Sequence, residues 1–178
     1  MDPARAKTEA EAAYADGGLT TSPDDDAYAQ KSLRDVNRLS SMSNYNEFRM
    51  SASMESVLKG YADPRMAEYF LPAVNTGTYE GLRNGLTIDQ LGLGINKVNA
   101  NSHVGHRWAD PAVFPGVGDL NFLATPQIVM CTAEAYFLRA ESVLFGWHMG
   151  GSAKELYEEG ITNSMIQWGI TNSTVITN

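Results

Sequence analysis

The chain has 178 residues and a formal net charge of −8, with charged residues making up only 19% of it. That length fits one domain of ordinary size, and the acidic balance argues against nucleic acid and anionic membrane surfaces as partners. Cys131 is the only cysteine, so no disulfide can form within the chain.

The opening Met1-Asp2-Pro3-Ala4-Arg5-Ala6 carries no apolar stretch and no lipobox, so no signal peptide is expected here. Residues 4–15 are rich in Ala and Glu and read as a helix with a thin apolar face, ended by Gly17 and Gly18. Residues 20–26 read as a polar turn ending in Asp24, Asp25 and Asp26. Residues 28–39 fit either a short helix or irregular chain threading over the surface. Residues 52–59 predict a helix with Met54, Val57 and Leu58 as its apolar face, stopped by Gly60. Asp63-Pro64-Arg65 then reads as an N-cap followed by proline at the first helical position, with Met66, Tyr69 and Phe70 as the buried stripe.

Residues 75–126 change character. Glycine stands at 77, 81, 85, 92, 94, 105, 116 and 118, and asparagine at 75, 84, 96, 99, 101 and 121. No helical period survives, and residues 77–82 and 119–123 are the strand candidates. An irregular segment this long is usually functional, because binding tends to sit on loops held by a rigid scaffold. Tyr79, Arg83, Asn101, His103, His106, Arg107, Trp108 and Asp110 carry its chemistry. Aromatic faces and planar polar side chains suit sugars, and Trp108 beside Arg107 and Asp110, with Tyr79 and Arg83, supplies both. The competing reading is that such residues pin the loop to its scaffold. His103-Val104-Gly105-His106 with Asp110 resembles a metal set, but Gly105 breaks any helix that would align the imidazoles and no HExxH pattern is present.

Thr125-Pro126 leads into a nearly all-apolar helix expected over residues 128–145, in which Ala133-Glu134 recurs as Ala140-Glu141 on one face. Cys131 falls inside it as a buried thiol. Glu134, Arg139 and Glu141 interrupt it, which rules out a membrane span. A second helix follows over residues 153–168. Ser152 and Glu155 form its capping box, Tyr157, Ile161, Ser164, Met165 and Trp168 its stripe, Gly160 a close-contact position, and Gly169 its stop. Two helices joined by so short a turn lie back to back, and one pair cannot bury its own apolar surface, which is the logic of stacked helix-pair repeats. Glu134 and Glu141 would stand roughly 10 Å apart on a packed face, a poor setting for glycoside hydrolysis. No nucleophile elbow, P-loop or dinucleotide fingerprint is visible. No catalytic residue, metal ligand or cofactor is therefore assigned.

The strings TAEAYFLRAESVLFGW and AKELYEEGITNSMIQWGI, with FRMSASMESVLKGYADPRMAEYF at residues 48–70 and GTYEGLRNG at residues 77–85 upstream, resemble the C-terminal region of the SusD/RagB family. The resemblance implies an outer-membrane, surface-exposed nutrient-binding lipoprotein of Bacteroidetes-type bacteria. It implies a mainly α fold with TPR-like (α-horseshoe) helix-pair packing, a long irregular loop region and little β. The organisation expected is helices and turns over 1–74, the Gly/Asn-rich loop region over 75–126 and an antiparallel helix pair over 127–170. The partners implied are an oligosaccharide ligand and a SusC-like TonB-dependent transporter, with no nucleic acid. Such proteins are much longer, so the chain is expected to be a C-terminal part, with secretion signal and lipid-bearing cysteine either upstream or never present. A scaffold piece without a ligand, or a peptide-binding member, is the alternative. The family's ligand contacts do not carry over by position. Its motif covers Asp63, Pro64, Arg65, Glu134 and Glu141 as structural residues, with Arg65 pairing a carboxylate and the two glutamates accepting hydrogen bonds on a crowded helix.

Overall fold

A computed structural model describes residues 2–17, 22–45, 48–109 and 120–171. The chain divides into two compact units, Met1–Ala29 with Ile128–Asn178, and Gln30–Gln127. The described residues are mainly helical, and none of their helices is long and apolar enough to cross a membrane.

The first unit is built on a helix pair. Helix α1, Pro3–Ala15, starts as its sequence dictates: Asp2 accepts from the Ala4 and Arg5 amides and Pro3 takes the first helical position. Its thin face, Ala10 and Tyr14, packs against Ala140, Met149 and Leu156. Residues 27–29 form a short strand, β1 (Ala27–Ala29), which pairs with β2 (Gln127–Met130). The helix expected over residues 128–145 therefore begins later, as α6 over Thr132–Leu144. Cys131 is not mid-helix. It sits in extended backbone at the N-cap position, partly buried, and gives no side-chain cap. The cap comes from elsewhere: Asp26 Oδ1 accepts from the Thr132 amide at 2.6 Å, and the Thr132 hydroxyl donates to the Ser22 carbonyl at 2.6 Å. A carboxylate at a helix N-terminus satisfies a donor the helix cannot and favours the positive end of its dipole.

Helix α7, Ala153–Ile166, has the Ser152–Glu155 capping box and ends in Gly169 at φ +77°, with the Ile170 amide donating to the Met165 carbonyl. Ala133 and Ala140 are buried, as expected. Helix α6 presents Phe137 to Gly160 and packs Ala140 with Leu156, so one helix runs up as the other runs down. A methyl group on Gly160 would come within 2.6 Å of the Phe137 ring. Tyr157 closes the same ring from the side, with centroids 5.5 Å apart. Arg139 ties the turn to both faces, donating twice to the Met149 carbonyl (3.0 and 2.8 Å) while its guanidinium lies over Tyr14 and Tyr136. The crowded-helix expectation for the glutamates does not hold. Glu134 and Glu141 are exposed, as are Leu138, Leu144 and Phe145, so α6 is amphipathic rather than apolar all round.

The second unit opens with irregular chain up to Asn37, whose side chain caps α2 (Arg38–Ser43) and whose amide hydrogens reach the Thr125 carbonyl. Residues 28–39 thus combine a strand end and irregular backbone, with a helix only from Arg38. Helix α3, Ala52–Gly60, is capped by Ser51, but of its expected apolar face only Leu58 is buried, while Met54 and Val57 are exposed. Asp63 accepts from the Arg65 amide and pairs with the Arg65 guanidinium through both carboxylate oxygens. That pairing holds the Asp63 carboxyl below the ordinary carboxylate range. The turn they make leads into α4, Met66–Tyr69, which starts after the proline rather than on it.

Residues 75–126 are not devoid of regular structure: α5 spans Ile88–Leu91, and 3-10 turns span Gly94–Asn96, Val98–Ala100 and Asn121–Ala124. The strand expected at 77–82 is reduced to one bridge, Leu82 to Ser51. The one expected at 119–123 is a 3-10 turn where described, residue 119 lying outside the described residues. Replacing Gly160 with Ala tests the helix contact. Intrinsic helix propensity alone would stabilise by about 1 kcal/mol. Overpacking against Phe137 is expected to reverse the sign and cost about 1–3 kcal/mol in urea unfolding, with Phe137→Leu in the same chain recovering part of it.

Candidate functional site

The second unit brings Arg83 and Asn101 to one cleft of about 530 Å3, shared with Glu80, Gln90, Leu93 and Ile95. Its walls are held by side chains that reach across sequence. Glu55, on α3, takes the Gly81 amide on Oε2 at 2.8 Å and the Lys59 ammonium on Oε1 at 2.5 Å. Gly81 has to be glycine, since a methyl group there would sit 2.6 Å from the Ser51 carbonyl oxygen. Opposite, the Ser102 hydroxyl accepts from the Glu80 amide and the Ser102 amide donates to the Glu80 carbonyl. Asn101 is 5% exposed, and both its amide hydrogens are given to the loop above, at the Ile95 and Lys97 carbonyls. Asn101 thus carries the pinning role that the sequence left as the competing reading, and still lines the cleft.

The other aromatic and charged candidates lie apart from that lining. Tyr79 is partly buried. Trp108 is partly buried with the Arg107 guanidinium 5.9 Å from its ring centre, and the Arg107 carbonyl accepts from the Thr125 hydroxyl. Asp110 lies outside the described residues. His106 is exposed, whereas His103 is buried. The His103 Nδ1 is 2.9 Å from the Val104 carbonyl, and among the described residues no hydrogen bond of good geometry reaches its Nε2. Burial first, then the nearby Arg49 charge, push its pKa below the ordinary 6.5.

Glu80, Gln90, Asn96, Leu93 and Ile95 were not singled out in the sequence. A signal existed for Gln90: Thr87-x-x-Gln90 is a capping box, and the structure forms it, with the Gln90 amide donating to the Thr87 hydroxyl and the Thr87 amide to Gln90 Oε1. Among the described residues Arg83 makes no hydrogen bond or ion pair, so its guanidinium is available to a ligand.

Comparison with known proteins places this arrangement. The sequence model of the SusD-like family, described as SusD and RagB outer membrane lipoproteins, matches residues 1–176. Among solved structures, a chitin-binding SusD homologue from Flavobacterium johnsoniae is 37% identical, with a TM-score of 0.75 over 98% of this chain and 33% of that one. A SusD-like protein from Bacteroides thetaiotaomicron is 33% identical, with a TM-score of 0.71 over 98% and 33%. A SusD homologue from Bacteroides vulgatus is 28% identical, with a TM-score of 0.75 over 99% and 34%. The chain spans about a third of the length of these relatives. No curated protein matches it.

His103 makes the interior beneath the site sensitive to acid. Burial disfavours its charged form, so it takes up a proton more readily when unfolded, and its contribution is fully present above pH 6.5 and is lost as pH falls below that value. Unfolding free energy is expected to drop between pH 7.5 and 5.5, above the range where the paired carboxylates Asp63 and Glu55 begin to protonate. Urea titrations of His103→Gln should show a flatter profile across that window; an unchanged slope would mean that His103 titrates alike in both states.

Proposed function

Since the chain belongs to the SusD-like family of outer-membrane lipoproteins, we propose that the protein it is part of captures oligosaccharides at the cell surface and passes them to a SusC-like TonB-dependent transporter, binding without catalysis. The observation that carries this reading is the cleft at Arg83 and Asn101. It is concave, with Leu86, Leu93 and Ile95 set among polar side chains of which Gln90, Asn96 and Asn101 are oriented by hydrogen bonds, and oriented polar groups beside apolar ones can hold a small ligand. The resemblance to a chitin-binding homologue at 37% identity supports a glycan as the ligand. Trp108 and Tyr79, each partly buried, are proposed as the ring faces that receive sugar C–H surfaces outside the cleft. Arg107 and Asp110 would supply hydrogen bonds beside them.

A second reading has its own observation. The helix pair carries a hollow of about 490 Å3 lined by Phe137, Ala140, Leu144, Ala153 and Tyr157 with Glu141 and Lys154, which suits packing against further helices or a transporter. In that case the chain contributes frame, and ligand binds elsewhere in the whole protein.

Titration calorimetry with soluble chito-, malto- and xylo-oligosaccharides separates the two. Saturable heat with at least one of them is expected, and Trp108→Ala should weaken it by roughly tenfold, or about 1.4 kcal/mol. Unchanged affinity in Trp108→Ala would remove the ring-face assignment. Silence with every oligosaccharide, together with retention of the chain by the transporter, would favour the frame.

A further inference from the structure

The cleft presents a more specific pattern than glycan binding requires. The amide of Asn101 meets two carbonyls, those of Ile95 and Lys97, each at 3.0 Å. Only the NH2 end of the amide can satisfy two acceptors, so the network fixes its orientation. Oδ1 is all the Asn101 side chain has left to offer, and among the described residues it has no partner. Gln90 is fixed the opposite way. Its Oε1 accepts from the Thr87 amide at 2.9 Å, which leaves Nε2 as a donor. Asn96 donates to the Gln90 carbonyl at 2.8 Å and ties the loop that carries all three.

Aliphatic side chains share the cleft with this acceptor and this donor. Leu86, Leu93 and Ile95 line the cleft, the last two 54% and 75% exposed. No Phe, Tyr or Trp is among its lining residues, so it offers no flat ring for a pyranose to stack on. The combination suits a substituent instead: a secondary amide bearing a methyl group, whose N–H would reach an acceptor, whose C=O would take a donor, and whose methyl would cover Leu93 and Ile95.

We propose that this cleft is a subsite for the acetamido group of N-acetylhexosamine residues, an assignment that rests on the glycan-binding reading above. Asn101 Oδ1 accepts from the acetamido N–H, Gln90 Nε2 and the Arg83 guanidinium donate to its carbonyl, and the methyl packs on Leu93 and Ile95. A hydroxyl in the same position is too small to cover that apolar wall. A free amine brings neither a methyl for that wall nor a carbonyl for Gln90. A site built to pair both ends of an amide discriminates strongly against analogues that leave its polar groups unpaired.

The test is calorimetric, on the full chain, with tetra-N-acetylchitotetraose, its fully deacetylated counterpart and cellotetraose. The N-acetylated tetramer is expected to bind at least tenfold tighter than the other two. Gln90→Glu keeps the capping oxygen for the Thr87 amide but turns the donor into a carboxylate oxygen, so it should remove that preference while leaving the melting temperature unchanged. Leu93→Asn, at an exposed position, should reduce the preference in the same direction without involving the loop's hydrogen bonds. Equal binding of cellotetraose, or a preference that survives Gln90→Glu, overturns the subsite while leaving glycan binding in place. Tighter binding of an N-acetylated tetrapeptide than of any of the three sugars overturns it as well. No binding of any sugar overturns the glycan reading itself.

Discussion

A stretch of chain that forms neither long helix nor sheet still has to place every buried N–H and C=O, and residues 48–109 meet that constraint with single hydrogen bonds between short extended pieces. The Met50 amide donates to the Ser102 carbonyl, the Leu82 amide to Met50 and the Ala52 amide to Leu82. The Leu71 amide reaches His103, the Gly105 amide reaches Tyr69, and the Ser102 amide reaches Glu80. Segments 50–52, 69–71, 80–82 and 102–105 thereby cross-brace one another without any of them becoming a strand. Met50 and Ser102, at the crossing, are fully buried. The cleft is what this bracing holds open.

Close approach sets the terms elsewhere too. Gly81 passes the start of α3 and Gly105 passes the backbone of Glu68 at distances that admit no side chain. In the first unit Gly160 plays the same part against Phe137. Polar side chains then supply what the backbone lacks, over long separations: Asp26 caps α6 across 106 residues, and Asn37 reaches Thr125 across 88. Stability in such a molecule is spread over many specific contacts rather than gathered in one large core, since the fully buried side chains are mostly small or polar.

How far the sequence could be read follows from the range of the interactions involved. Helix α7 was legible because its signals are local: Ser152 and Glu155 at one end, Gly169 at the other, Gly160 between. Helix α1 was legible for the same reason. The start of α6 was not. Ile128, Val129 and Met130 are as apolar as the helix that follows, and periodicity cannot tell a strand from a helix over so few residues. The partner that decides it, β1, and the cap that enforces it, Asp26, are distant in sequence. The repeated Ala-Glu suggests a crowded face for its glutamates because Ala133 and Ala140 pack there, yet a rotation of about 100° per residue carries the next side chain outward. In the cleft, residue type alone pointed to Arg83 and Asn101 but missed Gln90, Leu93 and Ile95, which gain meaning only once the capping box and the Asn101 amide fold their loop back. Trp108, the most sugar-like feature of the sequence, does not line that cleft; the Arg107 guanidinium lies over its ring instead.

The central claim is that the irregular region is braced into a preformed cleft rather than ordered by its ligand, and amide hydrogen exchange on the unliganded chain tests it most directly. The amides of Met50, Leu71, Leu82, Ser102 and Gly105 are predicted to exchange as slowly as those in the interiors of α6 and α7, although none of them lies in a helix or a sheet. Exchange at these five positions at the rate of an unstructured peptide, with α6 and α7 protected, would contradict the account.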